Sequence, residues 1–278
     1  MHFTDTDPDT ARLLDRIERY YDAVPRSSAR AEDFGPLTLF VQTGSGWPFY
    51  GRPAVDHDGP AATAADVERV RARQRELGLP EAFEWVAENA PGLRAAVEAT
   101  GLTVQAYPLM VLDPAAPELP TRPDVRLLDP DAPELAGAIA VPRLAFAEPG
   151  TTVGTAGATE LAALAEKLTG DPALTRIADR MRAGLTVTAA AFAPDGTAVC
   201  SGMHQPVGEV TELVGIGTLP TARRQGLGLA VTACLVADAR ARGAGTVFLS
   251  AGDEDVARIY GRVGFRRIAT ALIAEPAA

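Results

Sequence analysis

The chain has 278 residues, of which 47% are hydrophobic and 22% are charged, and its formal net charge at pH 7 is −10. These values are typical of a soluble globular protein long enough for two domains, and the negative charge argues against a nucleic acid as partner. The sequence has no long uncharged apolar run, which excludes a membrane span, and its two cysteines and three histidines are too scattered for a metal site.

The first half of the chain predicts a mixed α/β domain. Apolar periodicity and stop signals predict helices at Asp9–Ala23, Ala64–Leu77 and Pro91–Thr100, the second with Thr63 as its N-cap. Apolar runs rich in β-formers predict strands at Leu37–Gln42, Trp47–Tyr50, Phe83–Val86 and Leu102–Leu112. Four prolines then predict a linker, so we expect one domain at residues 1–113, the linker at 114–123 and a second domain at 124–278.

The second half predicts a longer α/β domain. The expected strands are Asp124–Leu128, Leu185–Phe192, Thr197–Gln205, Glu209–Thr218, Thr246–Ala251 and Phe265–Ala274. The expected helices are Asp131–Ala147, Glu160–Ala183 with a break near Gly170, Gly226–Gly243 and Asp253–Gly264. The Gly/Thr-rich segment Glu148–Thr159 predicts a flexible loop.

The strand, turn and helix from Glu209 to Gly243 predict a binding site for a diphosphate. The first N–H groups of a helix lack internal partners and lie at the positive end of its dipole. Gly226 and Gly228 let an anion approach the backbone, and Arg223 and Arg224 add permanently charged donors.

Two common nucleotide motifs do not fit this segment. A Walker A loop needs a lysine after its last glycine, whereas Leu229 follows Gly228, and the dinucleotide fingerprint needs a small residue where Val231 stands. The pattern R-x-x-G-x-G, with a hydrophobic residue and Pro220 before it, fits at Arg223, Gly226 and Gly228. The segment therefore resembles the acyl-CoA signature of the GNAT superfamily of N-acyltransferases.

A second segment resembles the same family. Tyr260 and the pair Gly264-Phe265 match a family segment with a tyrosine before a terminal Gly-Phe, in the family's order and spacing. The family commonly has an asparagine where this chain has Glu254. The resemblance covers about the last quarter of the chain.

The resemblance implies a mixed, mostly antiparallel central sheet flanked by helices. The order of elements over Ala64–Leu112 echoes the order over Gly226–Ala274, but no arginine–glycine loop precedes Ala64. We therefore expect the N-terminal half to be a partial, degenerate copy of the GNAT fold, as in tandem members of the family.

The resemblance also implies a reaction: transfer of an acetyl group from acetyl-CoA, the cosubstrate, to an amine acceptor. The residues implied in cofactor binding are Leu219, Arg223, Arg224, Gln225, Gly226, Leu227, Gly228 and Glu254. Leu219 would polarise the thioester with its backbone N–H, and Tyr260 would be the general acid.

The general base is expected on the strand that precedes Leu219. Strict alternation puts Glu209 on the face of Leu219, whereas a β-bulge would put Glu212 there instead, and we favour Glu212. Cys200 and His204 lie one strand away and are expected to be incidental.

The distribution of charge and the cysteine content indicate the end of the chain that binds the cofactor and the cellular compartment. Residues 219–278 carry a charge of +3 and the rest carry −13, which suits an anionic cofactor at the basic end. The two cysteines and the acidic N-terminus suggest a cytoplasmic protein, and the single lysine suggests a high-GC bacterial genome. A non-catalytic acyl-CoA-binding module is the alternative function, and the oligomeric state is open, with a homodimer among the alternatives.

Overall fold

A computed structural model describes residues 8–44 and 49–277, which divide into two compact units. The first unit combines the described residues up to Leu109 with those from Ile268 onward, and the second runs from Met110 to Arg267. This division differs from the predicted boundaries, because the end of the chain joins the first unit and the expected linker lies within the second.

Eleven strands and eight α-helices are present in the described residues. The strands are β1 Ala29–Asp33, β2 Leu37–Gln42, β3 Gly51–Pro53, β4 Phe83–Val86, β5 Leu102–Leu112, β6 Val125–Leu127, β7 Val187–Phe192, β8 Ala198–Val207, β9 Val210–Thr218, β10 Thr246–Ser250 and β11 Phe265–Pro276. The helices are α1 Pro8–Arg26, α2 Ala64–Glu76, α3 Leu93–Glu98, α4 Leu135–Ala147, α5 Ala158–Leu168, α6 Pro172–Arg182, α7 Leu227–Ala241 and α8 Glu254–Gly261. None of these helices combines the length and the apolar character that crossing a membrane requires.

The sheet of the first unit has the strand order β1-β2-β3-β4-β11-β5. β3 and β4 pair in parallel, whereas β1–β2, β2–β3 and β4–β11 pair antiparallel. The pairing of β11 with β4, with Ile273 opposite Glu84, is the reason why the last strand belongs to this unit. Apolar side chains on one sheet face, including Leu39, Phe83 and Trp85, form its core with α2 and α3.

Two strands of this unit, β1 and β3, differ from the predicted ones. β1, with the sequence Ala-Arg-Ala-Glu-Asp, is not among the predicted strands. It lies at the edge of the sheet, where charged residues are common because one side is open to water. The predicted strand Trp47–Tyr50 lies partly outside the described residues, and the strand that pairs with β2 begins at Gly51. The Thr63 cap of α2 is confirmed.

The sheet of the second unit has the order β10-β9-β8-β7-β6, in which β9 and β10 are parallel and the other pairs are antiparallel. α4 packs on β9 at Gly217, where an added Cβ would lie 2.8 Å from Pro142 Cα and 2.9 Å from Ala145 Cβ. The predicted break between α5 and α6 is confirmed, since Asp171 caps α6 by accepting from the N–H of Ala173.

The expected linker at 114–123 is held within the second unit. Arg240 of α7 donates from Nη2 to the carbonyl of Ala116 at 2.8 Å, and the N–H of Asp113 donates to Gly264 O at 3.0 Å. Prolines remove backbone donors but leave carbonyl acceptors, so an arginine on a neighbouring helix can fix a proline-rich segment.

Candidate functional site

The parallel strands β9 and β10 separate in the middle of β9. Three residue pairs join them, and the last is Glu212 with Phe248. β9 continues for six more residues, to Thr218, without a partner in β10. One edge of β9 therefore opens into a cleft beside its C-terminal half.

A β-bulge sets which side chains face α4. Met203 of β8 pairs with Val214, but Ser201, two residues earlier, pairs with Gly217, so β9 contains one extra residue. Gly215 adopts φ +62° in this bulge. The bulge places Glu212 on the sheet face of Gly217, the face covered by α4, as the bulged alternative in the sequence predicted.

Glu209 is not on the face of β9 that α4 covers. It is exposed and precedes β9, and its carbonyl accepts from the N–H groups of Gly245 and Thr246 at 2.9 and 3.0 Å. Of the two carboxylates that the sequence offered as a base, Glu212 is thus the one beside the cleft.

The backbone of Leu219 does not have the role expected for it. Its N–H donates to Val199 O at 2.8 Å, so it belongs to the pairing with β8. Successive N–H groups of a strand point to opposite edges, so the N–H of Thr218 points to the edge of β9 that faces the cleft. Sequence analysis missed Thr218, because the edge to which an N–H points depends on the register.

The N-terminus of α7 is open. Gly226 is its N-cap, in the left-handed conformation with φ +72°, and no side chain caps the helix. Arg224 is also left-handed, with φ +69°, and Arg224, Gln225 and Gly226 are exposed. The N–H groups of Leu227 and Gly228 begin the first turn, so this segment is a concave arrangement of donors suited to an anion.

A further arginine lies against this loop. Arg122 donates from Nη1 to Gln225 O at 3.1 Å and forms an ion pair with Asp124. No local pattern of residues predicted this contact, because Arg122 belongs to the expected linker and lies 103 positions before Gln225.

The side chain of Arg223 does not face the open loop. Arg223 is 9% exposed, and its guanidinium donates to Ala145 O at 2.9 Å, to Thr152 O at 3.1 Å and to Glu148 O. Backbone carbonyls thus occupy this guanidinium, and a contact between Arg223 and a phosphate stays a prediction. Arg224 keeps its side chain exposed.

The segment that Arg223 binds was expected to be a flexible loop, but it is extensively hydrogen-bonded. The Glu148 carboxylate accepts from the N–H groups of Thr155 and Ala156 and from the Thr155 hydroxyl, and these bonds lower its pKa. Gly154 donates its N–H to Pro220 O at 3.0 Å. Two glycines of the segment, Gly154 and Gly157, lie where an added Cβ would approach Pro220 and Thr221.

Tyr260 is on α8 and packs edge-on against Phe265, with 6.0 Å between ring centroids. Burial, with a smaller contribution from Cys200, raises the pKa of its phenol. Cys200 is fully buried, accepts from the Thr218 hydroxyl at 3.3 Å, and has a pKa that burial raises to about 12. Tyr260 and the end of β9 thus share Cys200 as a neighbour.

Glu254 and His204 have structural partners. The Glu254 carboxylate accepts from Arg267 at 2.7 Å, so it is paired on the surface. His204 is fully buried between the Thr211 hydroxyl and the Asp238 carboxylate, each at 2.9 Å, and burial lowers its pKa. Within the residues that the model describes, no group of histidine, cysteine and carboxylate side chains is arranged to hold a metal ion.

Comparisons with known proteins agree with this architecture. Residues 193–273 match the model of the FR47-like protein family. A GCN5-related N-acetyltransferase from Kribbella flavida is 23% identical, with a TM-score of 0.68 and 96% of each chain covered. A second one, from Sphaerobacter thermophilus, is 16% identical, with a TM-score of 0.55 over 95% of this chain and 86% of the other.

A tandem GNAT protein from the clavulanic acid biosynthesis pathway is 14% identical, with a TM-score of 0.52 over 86% of this chain and 77% of the other. No curated protein sequence matches the chain. The solved structures confirm the predicted fold class: the chain has the fold of the GCN5-related N-acetyltransferases, and within it residues 193–273 match the FR47-like family model.

Proposed function

We propose that the protein is an N-acetyltransferase that transfers the acetyl group of acetyl-CoA to an amine. The observation that carries this proposal is the uncapped N-terminus of α7, which directly follows the strand that forms the cleft. The pyrophosphate of CoA would bind the N–H groups from Gln225 to Gly228, and Arg224 would add its charge. The pantetheine arm would then run along the free edge of β9.

Two groups on β9 would take part in the chemistry. The N–H of Thr218 would donate to the thioester carbonyl oxygen and stabilise the charge that develops there. Glu212, at the point where the strands part, would accept the proton that the amine loses on attack. The C–S bond then breaks, and the CoA sulfur takes a proton from the Tyr260 hydroxyl.

Tyr260 suits the role of acid rather than base. Its raised pKa keeps the phenol protonated at neutral pH, so it has a proton to give. Its hydroxyl has no hydrogen bond to any residue within 8–44 or 49–277, which leaves it available to a ligand.

We also infer that the N-terminal unit is a degenerate copy that does not bind CoA. α2 occupies the place in that unit that α7 has in the other, between two parallel strands. The N-terminus of α2 is capped by its own residues, since Thr63 accepts from Asp66 N–H and the Asp66 carboxylate accepts from Thr63 N–H. A carboxylate at that position occupies the donors that an anion would need.

Titration calorimetry with acetyl-CoA tests the cofactor site. Arg224→Gln removes the exposed charge beside the loop, and we expect it to weaken binding about tenfold. Arg242→Gln is the matched control, because it removes an arginine at the opposite end of α7, about 22 Å away. Wild-type protein that does not bind acetyl-CoA would overturn the proposal.

Turnover tests the chemistry separately. Tyr260→Phe should lower kcat about 100-fold while the Kd of acetyl-CoA stays the same. Acetyl-CoA binding without CoA release, across a panel of amines, would instead favour the non-catalytic acyl-CoA-binding module.

A further inference from the structure

The side chain of Arg122 holds one peptide of the loop that precedes α7. Its Nη1 donates to the carbonyl of Gln225 at 3.1 Å. The peptide between Gln225 and Gly226 is planar and trans, so its C=O and its N–H point in opposite directions. Because Arg122 binds the carbonyl, the N–H of Gly226 points away from Arg122.

That N–H belongs to a group of donors suited to an anion. Arg224 and Gly226 are left-handed, and such residues turn successive N–H groups towards one side of the backbone. In residues 8–44 and 49–277, no protein group accepts a hydrogen bond from the N–H of Arg224, Gln225 or Gly226. A rotation of the Gln225–Gly226 peptide would remove one donor from this group and turn a carbonyl oxygen towards the anion.

Hydrogen bonds within a turn set the direction of the Arg122 side chain. Its Nε and Nη2 donate to the two carboxylate oxygens of Asp124 at 2.9 and 2.6 Å, which leaves Nη1 for Gln225. The N–H of Val125 donates to Arg122 O at 3.1 Å and closes a four-residue turn with Pro123 at its second position, where the fixed φ of proline is favourable. The turn leads into β6, so the guanidinium is oriented before any ligand binds.

The segment before this turn is also fixed. Arg240, near the C-terminus of α7, donates to Ala116 O at 2.8 Å, and Leu119 packs against the hydrophobic core of the unit. Arg122 contacts the opposite end of the same helix, at Gln225. α7 is about 22 Å long and six extended residues span about 20 Å, so residues 116–122 run along the helix.

The charge of Arg122 is balanced by its neighbour. The hydrogen bonds from Arg122 lower the pKa of the Asp124 carboxyl, so the ion pair carries almost no net charge at neutral pH. What the arginine adds to the loop is therefore the direction of a hydrogen bond rather than a positive charge.

We propose that Arg122 is a positioning residue of the cofactor site, because it fixes the Gln225–Gly226 peptide so that the Gly226 N–H faces the pyrophosphate of CoA. This inference rests on the proposed function, since it concerns the same cofactor. It extends the site beyond the R-x-x-G-x-G pattern, to a residue of the expected linker.

Titration calorimetry of the full-length protein tests this with CoA and with dephospho-CoA, which has the pyrophosphate but lacks the 3′-phosphate. Arg122→Ala should weaken the binding of both ligands by the same factor, about fivefold. Arg126→Ala is the matched control, because it removes an exposed, ion-paired arginine of the same region, and it should change either Kd less than about twofold. A loss of affinity for CoA that dephospho-CoA does not show would indicate a direct contact with the 3′-phosphate and would overturn the inference.

Arg122→Lys separates geometry from charge. Lysine keeps the charge but cannot bind Asp124 and Gln225 in one fixed fork, so we expect CoA to bind as weakly as to Arg122→Ala. Wild-type affinity in Arg122→Lys would show that charge alone matters and would overturn the positioning role.

The amide proton of Gly226 gives a readout that a purely structural role would not move. In protein labelled with ¹⁵N-glycine, we expect saturating CoA to shift this signal downfield in the wild type and much less in Arg122→Ala. The signal is assigned by its absence in Gly226→Ala. An equal downfield shift in the wild type and in Arg122→Ala would contradict the proposed orientation of the peptide.

The outcomes for the proposed function and for this inference differ. Absence of CoA binding by the wild type would overturn both. CoA binding that Arg122→Ala leaves unchanged would overturn the inference and leave the proposed function intact.

Discussion

Glu212 of β9 lies opposite Phe248 of β10, and this pair is the last contact of the parallel ladder before the two strands separate. The bulge at Gly215 then changes the alternation, so that Glu212 shares a face with Gly217. The register of two neighbouring strands therefore determines which carboxylate stands at the mouth of the cleft.

Glu212→Gln should lower kcat/KM for amines about 100-fold, because it removes the proposed base while keeping the size and the polarity of the side chain. Initial rates measured by CoA release between pH 6 and 9 would check this. Glu209→Gln is the control and should behave as the wild type; a similar loss in both variants would contradict the assignment.

Gly217→Ala should destabilise the second unit by about 1–3 kcal/mol, because its methyl group would meet the backbone of Pro142 and the side chain of Ala145 on α4. Gly226→Ala is a useful comparison. An added Cβ there meets nothing within 4 Å, so only the positive φ is strained, at a cost of about 1 kcal/mol. Urea unfolding of the two variants would give their free energies of unfolding. A smaller loss of stability in Gly217→Ala than in Gly226→Ala would refute the packing argument.

Glu84 should make the stability of the first unit depend on pH. Burial raises the pKa of this carboxyl to about 7, with Arg52 opposing the shift and Glu275 adding to it. The folded state then binds more protons than the unfolded state between about pH 4.5 and pH 7, so stability falls as the pH rises through this range. At pH 8 we expect Glu84→Gln to be more stable than the wild type by on the order of 2 kcal/mol.

Urea unfolding at pH 5 and pH 8 would measure this effect. In the wild type the free energy of unfolding should decrease from pH 5 to pH 8. This decrease should be absent in Glu84→Gln and present in Glu98→Gln, which alters an exposed residue of α3. A decrease that persists in Glu84→Gln would show that another group is responsible.

Glu18→Gln should destabilise the first unit by about 3 kcal/mol. Arg52 is 1% exposed; its guanidinium forms an ion pair with Glu18 and lies 5.1 Å from the centre of the Tyr21 ring. Glu18 is the main group that compensates this buried charge, and the Nε of Arg52 already lacks a partner, so loss of the carboxylate is costly. Thermal unfolding of Glu18→Gln would test this, with Asp9→Asn as the control because it alters an exposed pair with Arg12. An equal loss of stability in the two variants would contradict the prediction.

Much of the second unit follows from its local sequence. Pro194-Asp195-Gly196 marks the β7–β8 hairpin, Asp171 marks the start of α6, and Gly226 marks the start of α7. These signals work because a turn or a cap needs particular backbone angles and short-range donors, which a few adjacent residues supply. The uncapped N-terminus of α7 was predictable for the same reason.

Hydrogen bonds between segments that are distant in the sequence were not predictable from local signals. Arg223 reaches Ala145, which lies 78 positions away, and the Leu219 N–H reaches Val199 on the neighbouring strand. Both contacts depend on packing and register between distant segments, so the motif alone assigned these two residues to the ligand.

The sequence by itself determined the order of strands and helices from β6 onward, the uncapped glycine start of α7 and the position of Tyr260 before Gly264-Phe265, because each depends on neighbouring residues. Only the tertiary structure decided that β11 pairs with β4, that the bulge turns Glu212 rather than Glu209 to the face of Gly217, and that Arg223 holds a loop. The physical reason is that a hydrogen bond between distant segments is fixed by the register and packing of the whole sheet, which no local pattern of residues contains.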